Sequence, residues 1–323
     1  MFREHVKRLL GVFTVLVILG GSLLVGCSDD ADRIMSPDAQ LKRQPKPPQV
    51  TSAMNSPTRI ALGEKGKMYV SDFGAKVIWE LKAKKDATIT GSFPVDGYPL
   101  AVAWADGLVL VGNASTSTVD VYQASGWTWL RDLGGPGAVS DPTDIAVDVA
   151  SGRVYVLDGQ AGYIKVFDLH SGAPLLTISG PGTTEFSLTH PTGIAFDPGR
   201  NEILVSDYGD PTATGVPPRI KIFADDGSPV VSFSGRLGLL GQRFSFPQGL
   251  AVDAAGRILF ADALAGEVHV LNRDTGETLE PLGTFGSGPG ELWLPLDVVV
   301  DGKNRAYVTN NRPRRVEVFE LGG

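Results

Sequence analysis

SPTRIAL (residues 56–62), YPLAVAW (98–104), DPTDIAVD (141–148), HPTGIAFD (190–197), FPQGLAVD (246–253) and LPLDVVVD (294–301) are six copies of one pattern. Each places a proline before a short apolar run, at Pro57, Pro99, Pro142, Pro191, Pro247 and Pro295. A second column follows every time: MYVSD, VLVGN, VYVLD, ILVSD, ILFAD and AYVTN, ending at Asp72, Asn113, Asp158, Asp207, Asp262 and Asn310. The third reads VIWEL, TVDVY, YIKVF, RIKIF, EVHVL and RVEVF. Its first inward residue lies six positions after the Asp or Asn, except in the fourth copy, where YGDPTATGVPPR (Tyr208–Arg219) is inserted. Self-similarity at a fixed period decides the architecture before any single motif does.

The three columns alternate apolar and polar residues and are separated by Gly-rich turns, with no helical period among them. Three clear strands and a more variable fourth per copy predict an all-β, six-bladed β-propeller with four-stranded antiparallel blades over residues 49–323. The last copy stops after its third strand, at Glu320–Gly323. The segment around Gln49–Ala53 is therefore predicted to supply an N-terminal strand that closes blade six and buries its edge.

The copies resemble NHL repeats over residues 57–319, most closely at GTFGSGPGELWLPLDVVVD (283–301). The resemblance implies a propeller whose faces bind proteins, glycans or nucleic acid. In eukaryotic NHL proteins a ubiquitin-ligase role comes from a separate Cys/His zinc domain, which the one cysteine of this sequence cannot build. The amidating-lyase branch holds zinc with several histidines, and this sequence has four in all, without metal-ligand spacing.

Ahead of the repeats, MFREHVKR is short and basic, and Leu9–Gly26 is apolar. This order reads as a secretory signal over residues 1–26. Leu24-Val25-Gly26-Cys27 resembles the lipobox of bacterial lipoproteins, which implies cleavage before Cys27 and lipid attachment there. An uncleaved membrane anchor is the alternative, since 18 apolar residues just span a bilayer. Residues 27–48 hold the lipidated cysteine and a polar, Pro-rich flexible tether. The expected location is extracytoplasmic and membrane-anchored. Ser28, rather than Asp, favours the outer membrane of a Gram-negative host.

Composition removes several classes. A single cysteine cannot form an internal disulfide framework. The 42% apolar content argues against disorder, and a formal net charge of −7 argues against a nucleic-acid partner. Cleavage would remove Arg3, Lys7 and Arg8 against Glu4 and leave about −9.

Most chemistry-bearing residues fall into the repeat. Asp148, Asp197, Asp253 and Asp301 precede tight turns, and so do Asp72, Asp158, Asp207 and Asp262. All are expected to accept hydrogen bonds from turn amides. His269 shares a polar column with Lys165, Lys221 and Glu317 and is expected to face solvent. Trp104 shares the column of Leu62, Val147, Phe196, Val252 and Val300 and is expected in the core. Trp79, in the polar column, is a candidate exposed aromatic. Trp127 and Trp129 are expected on one face of a strand. Glu80 stands in an inward column otherwise Val or Ile.

One constellation stands apart. Two residues after each proline the resemblance implies Gly, yet the series is Arg59, Ala101, Asp144, Gly193, Gly249 and Asp297. In a six-membered ring Asp144 faces Asp297, and Arg59 lies beside Asp297. These three residues are a candidate ligand site at the channel mouth, where Asp144 and Asp297 are candidate ligands for a divalent cation such as calcium. The alternative is a solvated rim with an ion pair.

Two functions fit. The first is a lipid-anchored binding scaffold, expected to be a monomeric propeller joined to the membrane through its lipid, whose partner is an envelope or extracellular protein or glycan. Trp79, Tyr208, Arg219, Arg312, Arg314 and Arg315 are its candidate contact residues. The second is a metal-dependent lactonase or esterase resembling gluconolactonase propellers, although the Glu and Asn of their metal set are missing at the matching first-strand positions.

Overall fold

In every copy the second column folds back on the first, so that Pro142 meets Asp158, Pro191 meets Asp207 and Pro295 meets Asn310. The computed structural model describes residues 53–182, 184–210, 215–237 and 241–322. The signal, Cys27, the tether and nearly all of the predicted closing segment Gln49–Ala53 lie outside the described residues.

Six antiparallel blades follow in chain order. Their innermost strands are Pro57–Leu62, Pro99–Ala105, Pro142–Asp148, Pro191–Asp197, Pro247–Val252 and Pro295–Val300. Blades one to five have four strands each, hydrogen-bonded in sequence order, and blade six has three among the described residues. Each innermost strand contacts its neighbours on both sides, and that of blade six contacts that of blade one, so the ring closes. The fold is a six-bladed β-propeller.

Apolar side chains from adjacent blades form the cores between them. Met68, Val70 and Leu81 of blade one meet Tyr307, Val316 and Val318 of blade six in one such cluster. The inward residue six positions past the Asp or Asn is sealed in every regular copy: Ile78, Val119, Ile164 and Val268 are wholly buried and Val316 nearly so.

Hydroxyls join neighbouring blades. Thr58 Oγ1 donates to Leu100 O at 3.1 Å, Thr192 Oγ1 to Pro247 O at 2.7 Å, and Thr309 Oγ1 to Thr58 O at 2.8 Å. The last of these ties blade six to blade one.

We call the end of the ring that carries the six prolines the proline face. The residue closing each second strand organises it. Asp262 accepts from the amides of Ser245, Phe246, Leu264 and Ala265 at 2.7–3.2 Å, and so fixes both its own turn and the link arriving from blade four. Asp72 does the same for Asn55, Ser56 and Ala75 at 2.7–2.9 Å. On the opposite face Asp148, Asp197, Asp253 and Asp301 accept from Ala150, Gly199, Ala255 and Lys303 at 2.8–3.0 Å. Turn capping, as the sequence predicts, is what these aspartates do.

The polar third-strand column differs from expectation. His269 is buried, with Nε2 3.4 Å from Asp262 Oδ2, and Lys221 and Glu317 are buried too. Lys221 Nζ donates to Asp207 at 2.7 Å, and Trp79 Nε1 to Asp72 at 3.0 Å. Where the second strand ends in Asn113, its amide donates to Asp120 at 3.2 Å. Trp79, Asp120, Lys221 and His269 thus complement the group that ends the neighbouring strand, which draws them inward, whereas Lys165 stays half-exposed with Nζ 4.9 Å over the Tyr163 ring. Glu80 also finds an account: it accepts from Lys67 Nζ at 2.8 Å and from Thr90 Oγ1 at 2.9 Å.

Replacing Asp262 by Ala would leave four turn amides without their acceptor. The expected loss is about 3 kcal/mol of unfolding free energy, read by urea denaturation. Burial opposes ionisation of Asp262, but hydrogen bonds from His269 and the amides of Ser245 and Ala265 outweigh it and hold the carboxyl below the usual range. Its stabilisation is present above the ordinary carboxylate range and fades as pH falls through the lowered value. The gap between native chain and variant should narrow in acid.

Candidate functional site

The innermost strands surround a cavity of about 330 Å³. Leu62, Trp104, Val147, Phe196, Val252 and Val300 line it and are half-buried. Trp104 is therefore a channel-lining residue rather than part of a sealed core. The first strands encircle an open axis, so their side chains lack a neighbour on one side.

At the proline-face end, Arg59, Asp144 and Asp297 do come together, each 5% exposed. Arg59 leaves blade one and crosses the ring. Its Nη1 donates to Leu296 O of blade six at 2.5 Å, its Nη2 donates to the carbonyl of Thr192 in blade four, and its Nε lies 3.5 Å from Asp144 Oδ1 in blade three. The ion pair is with Asp144, not with Asp297 of the ring-adjacent blade six. A long side chain reaches across the axis, while Asp297 turns to the backbone beside it. The burial of all three rules out the solvated rim.

Each carboxylate has two backbone donors. Asp144 accepts from Ile145 N in its own blade and Ile194 N in the next, both at 2.9 Å. Asp297 accepts from Val298 N and, across the closure, from Ile60 N, again at 2.9 Å. Blades three and six thus repeat one arrangement on opposite sides of the axis. Glycine at 249 makes room for it, because a Cβ there would lie 1.7 Å from Asp297 Oδ1.

Burial pushes the Asp297 carboxyl up to about 8, the neighbouring Asp144 charge adds to this, and Arg59 pulls it back. Burial also raises Asp144, against Arg59 and the amides of Ile194 and Ile145. One guanidinium and two carboxyls, of which Asp297 holds its proton up to about pH 8, carry little net charge near neutral pH. All four carboxyl oxygens already face N–H donors, and a guanidinium holds the ground that a divalent cation would need. The residues present do not fit a metal. Among the described residues, no group of three or more His, Cys, Asp or Glu side chains forms a metal-holding cluster.

The surface candidates separate. Trp79 is half-buried against Met54, Ile60 and their neighbours, its indole spent on Asp72. Tyr208 stacks between His190 and Phe246, with centroids 4.9 and 4.4 Å away, on the proline face. Arg219 is engaged by Glu185 at 3.1 Å and Ser232 at 2.7 Å, and Arg315 by Glu317 and Gly288 O. Arg312 and Arg314 are exposed. Residues 211–214 of the insertion lie outside the described residues. Trp127 and Trp129 do not share a strand face: Trp127 sits in the preceding turn with φ 55°, stacked on Phe93 at 3.6 Å, and Trp129 is 54% exposed.

Sequence reasoning passed over Phe285 and Trp293, the first 62% and the second 37% exposed. Their rings lie 5.9 Å apart on the proline face, where Trp293 N donates to Asn310 Oδ1 at 2.8 Å. The signal was present, since both interrupt the Gly-rich link that matches the repeat pattern best.

No protein-family profile matches the chain. Over 151 residues, 46% of the chain, it is 28% identical to E3 ubiquitin-protein ligase NHLRC1 of Rattus norvegicus. Over 174 residues, 52% of the chain, it is 28% identical to the Homo sapiens protein of that name. The chain spans only 34% and 40% of the length of these curated relatives. Among solved structures it superposes on hydrazine synthase of Kuenenia stuttgartiensis with a TM-score of 0.62 at 15% identity, covering 83% of this chain and 96% of that one. A Bacteroides thetaiotaomicron protein of unknown function gives 0.64 at 16%, with 83% and 70% covered. The structural likenesses show the propeller fold. The sequence likeness and the six blades together support repeats of the NHL type.

Two expectations follow from the charged layer. Arg59→Met strands two buried carboxyls and should cost about 3–5 kcal/mol at neutral pH. The loss should shrink on acidification, and adding Asp144→Asn with Asp297→Asn should recover most of it in urea unfolding. Asp297 has a folded pKa above its unfolded one, so its contribution is full in acid and is lost as pH rises from about 4 through about 8. The native chain should therefore lose stability relative to Asp297→Asn across that interval, with the difference level above it.

Proposed function

We propose that the protein is a lipid-anchored, extracytoplasmic binding scaffold whose proline face docks a protein of the cell envelope. The observation that carries this reading is where the polar and aromatic groups are spent. The charged groups at the channel end are turned on backbone and on one another, with Arg59 Nε 3.5 Å from Asp144 and making no hydrogen bond of its own. The proline face meanwhile keeps the half-exposed His190–Tyr208–Phe246 stack and the exposed Phe285–Trp293 pair. Aromatic side chains of this kind supply much of the energy of protein interfaces. The relatives named above act, by name, on proteins. The ligase activity in that name belongs to chains of which this one spans well under half.

Anchoring rests on the basic, apolar and Cys27-containing order of the first residues. A lipid on Cys27, followed by a Pro-rich tether, leaves the ring free to turn its face to a partner, and Ser28 favours the outer membrane.

Two measurements test this together. An alkyne fatty acid fed to cells should label the chain at Cys27, and Cys27→Ala should abolish the label and release the protein from membranes. A photo-crosslinking residue at Tyr208 or Phe285 should capture a second protein in the intact envelope, and one at Val149, on the opposite face, should not. Unlabelled chain, or equal capture from both faces, would overturn the reading.

A further inference from the structure

We infer that the turns of blades one and six on the face opposite the prolines form a cationic corner that seats the ring on an anionic phospholipid surface. The inference rests on the anchoring proposed above and adds which face of the ring the membrane meets.

Backbone links build the corner. In blade one, Lys67 opens the second strand and Lys82 ends the third, directly opposite one another. Ala83 N donates to Gly66 O at 2.7 Å, which lays the turn carrying Lys84 and Lys85 against the one carrying Lys65. Arg305 Nη2 donates to Ala83 O at 3.0 Å and so brings in the blade-six turn that holds Lys303. Lys65, Lys82, Lys84, Lys85 and Lys303 are all exposed.

Like charges directly opposite one another destabilise a strand pair. At the matching pair the other blades set Leu108 against Gln123, Arg153 against Asp168, Glu202 against Ala224, Arg257 against Asn272 and Arg305 against Glu320. Blade one alone sets two cations together. Glu80 takes up Lys67 at 2.8 Å, while Glu64 lies 3.4 Å from Lys65 and Glu320 lies 3.5 Å from Lys85. Among the described residues Lys82, Lys84 and Lys303 form no ion pair, against one carboxylate of these turns in the same state, Asp86. Elsewhere on this face the cations are matched. Arg153, Arg200, Arg257 and Arg273 each hold a carboxylate at 2.6–3.0 Å.

Charge and tethering together select the partner. In a chain of net charge −7, an anionic bilayer repels most of the surface and attracts this corner. The chain also enters the described structure at the junction of the same two blades. Met54, 2% exposed, belongs to one cluster with Leu81 and Ala83 of blade one and Val316 and Val318 of blade six. Residues 28–52 span at most about 90 Å from Cys27, so the bilayer is the one surface always within reach of the anchored ring. Three unpaired lysines less one carboxylate are worth roughly thirtyfold in membrane partition. That gathers little protein from solution, but it sets the orientation of a ring already held at the membrane. The proline face then looks away from the bilayer, toward its partner.

The test reconstitutes the full lipidated chain into vesicles of phosphatidylcholine alone or with one-third phosphatidylglycerol, both bearing a nitroxide on the lipid headgroup. One chain carries a fluorophore on Gly302→Cys, beside Lys303, where a Cβ meets nothing within 4 Å. A second carries it on Phe285→Cys, on the proline face. With Cys27 acylated, each chain has one free thiol. Quenching at position 302 should be strong with phosphatidylglycerol, weak without it and lost in molar salt, and weak throughout at position 285. Lys82→Glu with Lys84→Glu should lower the quenching at 302 roughly tenfold or more. Because Lys82→Glu gives Lys67 an opposite charge across the strand pair, the unfolding midpoint in urea should not fall. Equal quenching in the two vesicle types, equal quenching at the two positions, or indifference to the charge reversal would overturn the inference and leave the anchoring standing. A chain that floats free of both vesicle types would overturn the anchoring, and the inference with it.

Discussion

Arg59 reaches three other blades from its own, and the inner layer of the ring depends on where its charge goes. Pairing a buried guanidinium with one carboxylate across the axis and donating to carbonyls of two further blades makes four of the six innermost strands share one network. The opposite carboxyl, Asp297, then takes an amide from blade one and bridges the place where blade six meets blade one. Burying three ionisable groups costs several kcal/mol each unless every one finds partners. Here backbone amides and carbonyls supply most of them, and Arg59 Nε is left with the Asp144 charge 3.5 Å away and no hydrogen bond.

That constraint bears on function. Groups that hold the ring together are not available to hold a metal or move a substrate's proton without loosening the ring. The cavity beside them is lined by apolar side chains and contributes no second set of reactive groups. What the propeller offers the outside is its surface, and the aromatic residues there cluster on the proline face, where the blade links and the turns of the second strands meet. Loops held by a rigid frame are the usual place for recognition, and this frame is fixed by its own aspartates.

The repeat made the fold legible. Prolines, the Asp or Asn that ends the second strand, and the inward aliphatic residue six positions on are each forced by backbone geometry, and each repeats. The ring order also places Asp144 opposite Asp297. It does not fix where a flexible side chain goes: adjacency in the ring puts Arg59 beside Asp297 and says nothing about a reach across the axis to Asp144. The alternation points His269 and Trp79 outward for a related reason: a polar residue on an alternating strand normally faces water. Yet the sequence held the correction, since Asp72, Asp207 and Asp262 are matched by the donors Trp79, Lys221 and His269, and Asn113 is matched by the acid Asp120. Phe285 and Trp293 lie inside a link whose glycines carry the repeat pattern, so the pattern marks the link and not its aromatics.

The most direct test of the central claim, that Arg59, Asp144 and Asp297 form a closed layer of little net charge, is to follow the carboxyl carbons of Asp144 and Asp297 by ¹³C NMR across pH, with and without calcium. The account predicts that one of the two carboxyls stays protonated until about pH 8 and that calcium shifts neither. Two carboxyls titrating in the ordinary range, with signals that move when calcium is added, would contradict it and return the channel end to the candidates for a metal site.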